Sequence, residues 1–182
     1  MRCFIGIDLP FVAIKEIQKI QKKLEPNFAG RLTSSENLHL TLKFLGEIEE
    51  DAINDVKKRL SSITHPPFEL TLKDIGVFSQ NFIKIIWVQV SDVPLQSLVD
   101  NCLNDIFKLE NRFMGHITIA RVKSLADKNS FLQLINKMGV NEISFMVRDF
   151  YLKESVLTKE GPIYKDIERY KLTSQTNSIL SF

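Results

Sequence analysis

The sequence predicts an α+β fold made of two copies of a β-α-β-α-β unit. Segments in which apolar and polar residues alternate, as in strands, take turns with segments in which apolar residues recur at helical spacing. The middle strand of each copy carries the sequence His-x-Thr, at His39 and at His116, 77 positions apart. This offset indicates one duplication with a pseudo-two-fold arrangement rather than a short-period repeat.

Length and composition fit one globular domain. The chain has 182 residues, of which 44% are apolar and 25% are charged, and its net charge is +2. We expect a single domain over 1–182, with pseudo-two-fold halves at about 1–76 and 81–152. This net charge permits local contact with a polyanion, but the sequence lacks the concentrated basic stripe of a duplex DNA binder.

The sequence indicates a cytoplasmic protein. The apolar run at 3–7 ends at Asp8 and is too short for a signal peptide, and no run approaches the roughly 20 residues that span a bilayer. Cys3 and Cys102 form no CxxC pair, so we expect them to be reduced and structural.

The first half opens with a predicted strand over 2–8, followed by a helix over 11–24. The strand at 38–44 alternates, with leucines and Phe44 on one face and polar residues on the other. A second helix, whose acidic first turn suits the positive end of the helix dipole, extends from 49 to 63. A strand at 68–72 completes the unit.

The second half repeats this order. Its pattern of apolar residues predicts a strand at 82–90, a helix from Pro94 to Phe107, a strand at 115–120, a helix over 125–138 and a strand at 143–147. The remaining segment, 155–172, contains Gly161 and Pro162 between two strand-like stretches. It is predicted to be a hairpin that completes the sheet system.

The two His-x-Thr segments are the candidate catalytic groups. Alternation sets His39 and Thr41 on one face of their strand, and His116 and Thr118 on one face of theirs, and a pseudo-two-fold brings these faces together across a cleft. Two imidazoles with ordinary pKa values of about 6.5 can act as the base and the acid of an in-line displacement at phosphorus. Threonine hydroxyls can donate to the non-bridging oxygens. The residues alone leave open which histidine is the acid.

Other candidates carry weaker signals. Lys43, on the polar face with His39, and Arg121 are candidate substrate contacts, although a surface cation at a strand end explains each equally well. A metal site is disfavoured because each motif supplies only one good ligand, so no metal or other cofactor is expected. His65 lies in a loop and has no counterpart in the second half, which favours a surface residue.

Several segments in order carry a family pattern over nearly the whole chain. They are RCFIGIDLP at 2–10, NLHLTLKFLG at 37–46, LTL at 70–72, IGVF at 75–78 and HITIAR at 116–121, with Glu154, Ser155, Gly161 and Tyr164 near the end. This set resembles the two-histidine phosphoesterases, specifically the RNA 2',3'-cyclic phosphodiesterases, also called 2'-5' RNA ligase-like proteins. Gly115 departs from the pattern, since many relatives have proline there, and this changes backbone stiffness without removing a functional group.

The resemblance implies a bilobed, mainly antiparallel sheet system around a central cleft, with the helices outside. It also implies a hydrolase that opens a terminal 2',3'-cyclic phosphate to a 2'-phosphate without a metal, with related reversible 2'-5' joining of RNA ends. By this resemblance His116 is the general base and His39 the general acid, with Thr41 and Thr118 on the phosphate. The implied partners are RNA ends, tRNA fragments among them, with no membrane and no obligate protein partner.

Aromatic residues give no separate site at this point. Phe44, Phe78 and Phe113 are candidate platforms for base stacking. Because Phe44 alternates onto the core face, core packing is favoured for all three.

Two alternatives to an enzyme stay open. A non-catalytic module could hold a cyclic phosphate end of RNA with the same groups, and turnover separates this case from an enzyme. A structural domain could use the histidines as satisfied core groups, and it would show no phosphate-dependent stabilisation against heat.

Overall fold

The computed structural model describes residues 1–159 and 161–174. Position 160, inside the predicted hairpin, and positions 175–182, at the end of the predicted domain, lie outside this part. The described strands are β1 Arg2–Asp8, β2 Ala29–Leu32, β3 His39–Glu47, β4 Phe68–Val77, β5 Ile85–Val90, β6 His116–Ser124, β7 Ser144–Val147, β8 Asp149–Leu157 and β9 Pro162–Lys171. The described α-helices are α1 Phe11–Leu24, α2 Glu50–Leu60, α3 Pro94–Cys102 and α4 Lys128–Lys137, with short 3-10 helices at Glu25–Asn27 and Ser35–Asn37.

The predicted order of elements is confirmed. It runs β1-α1-β3-α2-β4 and then β5-α3-β6-α4-β7. A final hairpin of β8 and β9 follows, and it begins at Asp149 and not at the predicted 155. Strand β2 is the one addition to the first unit in this part of the chain. Its four residues are nearly all exposed, so they show none of the apolar alternation by which a strand is found in a sequence.

Helix α3 is shorter than predicted, because it ends at Cys102 and not at Phe107. The Asp100 carboxylate accepts a hydrogen bond from the Glu110 backbone N–H at 2.8 Å and binds the ammonium of Lys43. These contacts turn the chain back across the end of the helix. Leu103 is nonetheless fully buried. The apolar spacing therefore predicted the burial of this residue correctly, although the residue lies outside the helix.

All strand pairs are antiparallel, in the order β7-β4-β5-β6-β3-β1-β8-β9, with β2 also paired to β6. The last strand of the first unit, β4, pairs with β5 and β7 of the second unit. Conversely, β8 pairs with β1 of the first unit. The closing strand of the first unit therefore extends the sheet of the second unit, and the hairpin strand β8 extends the sheet of the first. The centre of the sheet is the β3–β6 contact.

One apolar core holds the helices to the sheet. Leu40 of β3 and Ile117 of β6 are fully buried, and they share a cluster with residues of the helices such as Ile17, Val56 and Val99. Burying each of these side chains contributes on the order of 1.5–3 kcal/mol. The opposite face of β3 and β6 is left for the polar residues. This confirms the α+β class of fold with duplicated units, an antiparallel sheet and outer helices.

Strands β3 and β6 share an irregularity at the same point after the histidine. The burial pattern alternates from the histidine onward until two consecutive residues are buried, which are Leu42 and Lys43 in β3. In β6 they are Ile119 and Ala120. At these points the pairing of β3 with β1, and of β6 with β5, skips one residue. A β-bulge of this kind reverses which of the following side chains face the core.

The bulge in β3 makes two predictions wrong. Lys43 does not share a face with His39, because its side chain is buried, binds the Asp100 carboxylate and donates to the Lys108 carbonyl at 2.7 Å. Phe44 does not face the core, because its side chain is 70% exposed. Lys43 is therefore not a contact for a ligand on the His39 face.

Candidate active site

A cleft of about 1020 Å³ opens where β3 and β6 meet. His39, Thr41, His116 and Thr118 all line it, so the structure brings together the four residues that the His-x-Thr segments predict. The volume lies at the upper end of the roughly 300–1,000 Å³ of ligand pockets, so the cleft is larger than the four groups alone require.

The β3–β6 register sets how the four groups face each other. Leu40 pairs with Ile117 in this antiparallel contact, and both side chains point into the core. The flanking residues therefore lie on the cleft side, with His39 across from Thr118 and Thr41 across from His116. Each imidazole thus has the hydroxyl of the other motif as its neighbour on the next strand.

Both histidines are oriented by a backbone carbonyl. The Nδ1–H of His39 donates to the Asn37 carbonyl at 2.7 Å, and the Nδ1–H of His116 donates to the Met114 carbonyl at 2.8 Å. A carbonyl only accepts, so Nδ1 carries a proton in each ring and Nε2 is the atom that gains or loses one. Nε2 of His39 lies 3.0 Å from the Oγ1 of Thr41, on the cleft side.

Aromatic rings hold the two imidazoles in place. The His39 ring packs against Phe4 and Tyr164, with centroid distances of 4.8 Å and 5.0 Å. The His116 ring meets Phe78 edge-on at 4.9 Å. Phe78 is 54% exposed, so the prediction that it packs in the core is wrong, while Phe113 is half-buried.

The environment of His39 favours its neutral form. Burial lowers the pKa of His39 below its ordinary value, and the nearby positive charge of Lys153 acts in the same direction. The hydrogen bond to the Asn37 carbonyl and the charge of Asp8 oppose this shift. A bound anion would oppose it as well, so the protonation of His39 is coupled to what occupies the cleft.

Arg121 is an exposed residue of the cleft wall, as its candidate role requires. It occupies the position in β6 that Phe44 occupies in β3, directly after the two buried residues of the bulge. Burial raises the pKa of Tyr164, whereas the charges of Arg121 and Arg2 lower it, so both guanidinium groups lie near that phenol. Lys43 does not line the cleft, and Arg121 does.

His65 lies away from the cleft, as predicted. Its ring meets Phe68 edge-on at 5.4 Å, and its Nδ1 donates to the Pro66 carbonyl at 2.6 Å. In 1–159 and 161–174, no group of three or more His, Cys, Asp or Glu side chains is placed to hold a metal ion. No helix in the same residues has the length and apolar character needed to span a bilayer.

Several cleft features were not predicted. Phe4 lies in the apolar run at 3–7, which gives no sign that its buried ring packs against His39. Phe44 was predicted on the core face, and the bulge in β3 places it in the cleft wall. Arg31 lies on the unpredicted strand β2. Tyr164 was noted in the sequence only as part of the family pattern, and that pattern does not predict that its ring packs against His39.

The fold and these groups define a class of protein, the phosphoesterases that carry two histidines in a sheet-lined cleft. A family model described as LigT like Phosphoesterase matches residues 7–87. RNA 2',3'-cyclic phosphodiesterase of Archaeoglobus fulgidus is 32% identical over 94% of this chain and 100% of the relative. The protein of the same name from Thermotoga maritima is 35% identical over 91% of this chain and 92% of the relative.

Solved structures agree. The crystal structure of E. coli LigT complexed with 3'-AMP matches with a TM-score of 0.74 and 27% identity, over 95% of this chain and 98% of that chain. The chain therefore belongs to the LigT-like phosphoesterase family.

Proposed function

We propose that this protein is an RNA 2',3'-cyclic phosphodiesterase, a hydrolase that converts a terminal 2',3'-cyclic phosphate into a 2'-phosphomonoester. Relatives across nearly the whole chain carry that name, and E. coli LigT has been crystallised with 3'-AMP. The observation that carries the proposal is the Leu40–Ile117 register, which gathers two imidazoles and two hydroxyls on one cleft face.

In the proposed reaction, Nε2 of neutral His116 takes a proton from water as the water oxygen attacks phosphorus. The bond from phosphorus to the 3'-oxygen breaks, and Nε2 of protonated His39 gives its proton to that oxygen. The products are a 2'-phosphomonoester and a free 3'-hydroxyl. The two rings have then exchanged protonation states, and proton exchange with solvent restores them.

Thr41 and Thr118 donate to the non-bridging phosphate oxygens, where charge accumulates in the transition state. Arg121 can add a charge-assisted hydrogen bond to the same group. An RNA 5'-hydroxyl can replace water as the nucleophile, which gives a 2'-5' phosphodiester and is the joining reaction. We expect cytoplasmic RNA ends, tRNA fragments among them, to be the substrates.

The test uses an oligonucleotide that ends in a 2',3'-cyclic phosphate. We expect turnover to a 2'-phosphate in the presence of EDTA, and we expect His39→Ala and His116→Ala each to abolish it. His65→Ala is the matched control, since this ring lies outside the cleft. Metal dependence, or full activity in either cleft variant, contradicts the mechanism. Affinity without product identifies a non-catalytic module that binds RNA ends.

The acid and base roles have a separate test. A substrate with sulfur in place of the bridging 3'-oxygen has a leaving group that needs no proton. We expect His39→Ala to recover activity on this substrate and His116→Ala to stay inactive. The opposite pattern would exchange the two roles and leave the reaction unchanged.

A further inference from the structure

Three arginines line the cleft, Arg2, Arg31 and Arg121, and Glu36 is the one acidic residue among the lining residues that the structure describes. In 1–159 and 161–174, none of these arginines makes a salt bridge with an acidic side chain. By contrast, Arg169 is paired with Asp149 at 2.8 Å. The cleft therefore has positive charge that the described acidic side chains do not neutralise.

Arg31 and Arg121 lie directly opposite each other. They are Cα partners in the antiparallel β2–β6 pair, and both side chains are exposed. Like charges in this arrangement destabilise a sheet. An anion bound between or beside the two guanidinium groups would remove that repulsion, because arginine binds phosphate oxygens through two parallel hydrogen bonds.

The turn of the β8–β9 hairpin helps to position the Arg31 side chain. A Cβ atom added at Gly161 would lie 2.8 Å from Nη1 of Arg31, so the guanidinium packs against the backbone there. The Asn37 side-chain amide donates to the Pro162 carbonyl at 2.8 Å. The hairpin turn and the segment before β3 therefore meet beside Arg31. Because these contacts already restrict the Arg31 side chain, it loses less conformational entropy when it binds an anion.

With the reacting phosphate at Thr41 and Thr118, as proposed, Arg31 lies farther from it than Arg121 does. Arg121 is three residues past Thr118 on β6, which is about 10 Å along the strand, and Arg31 is one further strand away, about 5 Å. A 2',3'-cyclic phosphate is at the 3' terminus of an RNA chain. Any second phosphate of the substrate must therefore lie on its 5' side.

We infer that Arg31 binds the phosphate 5' to the terminal nucleotide. The protein therefore selects oligonucleotides that end in a cyclic phosphate over 2',3'-cyclic mononucleotides. This inference rests on the proposed function, because it names the substrate class of the same cleft. It assigns the charge of Arg31 to the binding of a part of the RNA that does not react.

The test compares kcat/KM for three substrates. They are a 2',3'-cyclic mononucleotide without a 5'-phosphate, a dinucleotide ending in a cyclic phosphate, and the same dinucleotide with a neutral methylphosphonate linkage. We expect the wild-type protein to favour the charged dinucleotide about tenfold or more over the other two, the scale of one charge-assisted contact. Equal values for the charged and neutral dinucleotides would overturn the inference.

Arg31→Gln supplies the second arm. We expect it to lower kcat/KM for the charged dinucleotide about tenfold, mainly through KM, to leave the mononucleotide within about twofold, and to be insensitive to the methylphosphonate. The dependence of dinucleotide binding on salt should weaken by a slope of about 0.7, the value for one phosphate contact on a single strand. Arg148→Gln, an exposed arginine outside the cleft lining, is the matched control.

An equal loss on the mononucleotide and the dinucleotide in Arg31→Gln would overturn the inference, because the residue would then act on the reacting phosphate or on folding. Absence of turnover for every substrate in the wild-type protein would contradict the proposed function itself. The two failures are therefore distinguishable in one set of measurements.

Discussion

Leu40 and Ile117 pair across the centre of the sheet, and this pairing sets each cleft histidine opposite the threonine of the other motif. Any change that shifts one of these strands by one residue would turn the histidine and threonine of that strand toward the core. The site therefore depends on the core faces of the same two strands that carry its polar residues.

The threonine hydroxyls give the first prediction. Thr41→Val and Thr118→Val keep the shape of the side chain but remove a donor to the phosphate, and we expect each to lower kcat about 100-fold. Thr41→Ser and Thr118→Ser retain the hydroxyl and should stay within a few-fold of wild type. Single-turnover rates on the cyclic-ended oligonucleotide measure this. Thr71→Val, which removes a surface hydroxyl bonded to Ser144, is the control, and undiminished rates in both valine variants would refute a phosphate role.

The second prediction concerns the pH dependence of His39. Burial lowers the pKa of this ring below its ordinary value of 6.5, so we expect NMR titration of its Cε1–H to give a midpoint below 6.5 in the free protein. Adding inorganic phosphate should raise the midpoint, because the anion favours the charged ring. A midpoint at or above 6.5 without ligand would contradict the burial argument.

The same shift affects stability with a definite sign. Below pH 6.5 the unfolded chain binds the His39 proton more readily than the folded protein does, so the free energy of unfolding falls as the pH falls. This penalty is absent well above pH 6.5 and is complete below the folded pKa. Urea unfolding at pH 7.5 and pH 5 should show a larger acid loss for wild type than for His39→Asn. An equal loss in the two proteins would mean that burial of His39 is not the cause.

The buried pair of Lys43 and Asp100 gives the third prediction. Lys43→Met leaves a buried carboxylate without its partner and should cost about 3–5 kcal/mol in the free energy of unfolding. Lys43→Met combined with Asp100→Leu should recover much of that loss. Urea unfolding measures both, and Lys73→Met, which removes the exposed pair with Glu142, should cost less than about 1 kcal/mol. Similar costs for the buried and exposed pairs would show that burial does not set the effect.

Gly115 gives the fourth prediction. A Cβ atom at this position would lie 2.9 Å from the Cγ2 atoms of Val90 and Val93, so Gly115→Ala should destabilise the fold by about 1–3 kcal/mol through overpacking. Adding Val93→Ala should relieve part of this cost. The control is Gly139→Ala, where nothing lies within 4 Å of the new atom. Equal free energies of unfolding for the two alanine variants would contradict the packing argument.

Much of the fold was predictable because its signals are local. Alternation and helical spacing found β1, β3, α1 and the order of the two units, and placed His39 and His116 on matching strands. The expected faces hold for the residues that precede the bulges. Thr41 and Thr118 therefore lie on the side that the sequence predicts.

The features that were missed depend on contacts between distant segments. The bulge at Leu42 and Lys43 arises in the pairing of β3 with β1, and no local sequence pattern predicts the extra residue. The wrong placements of Lys43 and Phe44 follow from it. Arg31 was missed because β2 is a short exposed strand whose partner, β6, is about 90 residues away in the sequence.

The pairing of strands between the two halves has a consequence for whether either half can stand alone. One unit by itself carries a single cleft histidine, and its sheet is extended by a strand from outside the unit, which is β8 for the first unit and β4 for the second. Removing either half would therefore leave a sheet edge of the other half unpaired and would take away one of the two cleft histidines. The two halves thus act as interlocked parts of one site while differing in the groups they bring to it, because Arg121 stands in one half where Phe44 stands in the other.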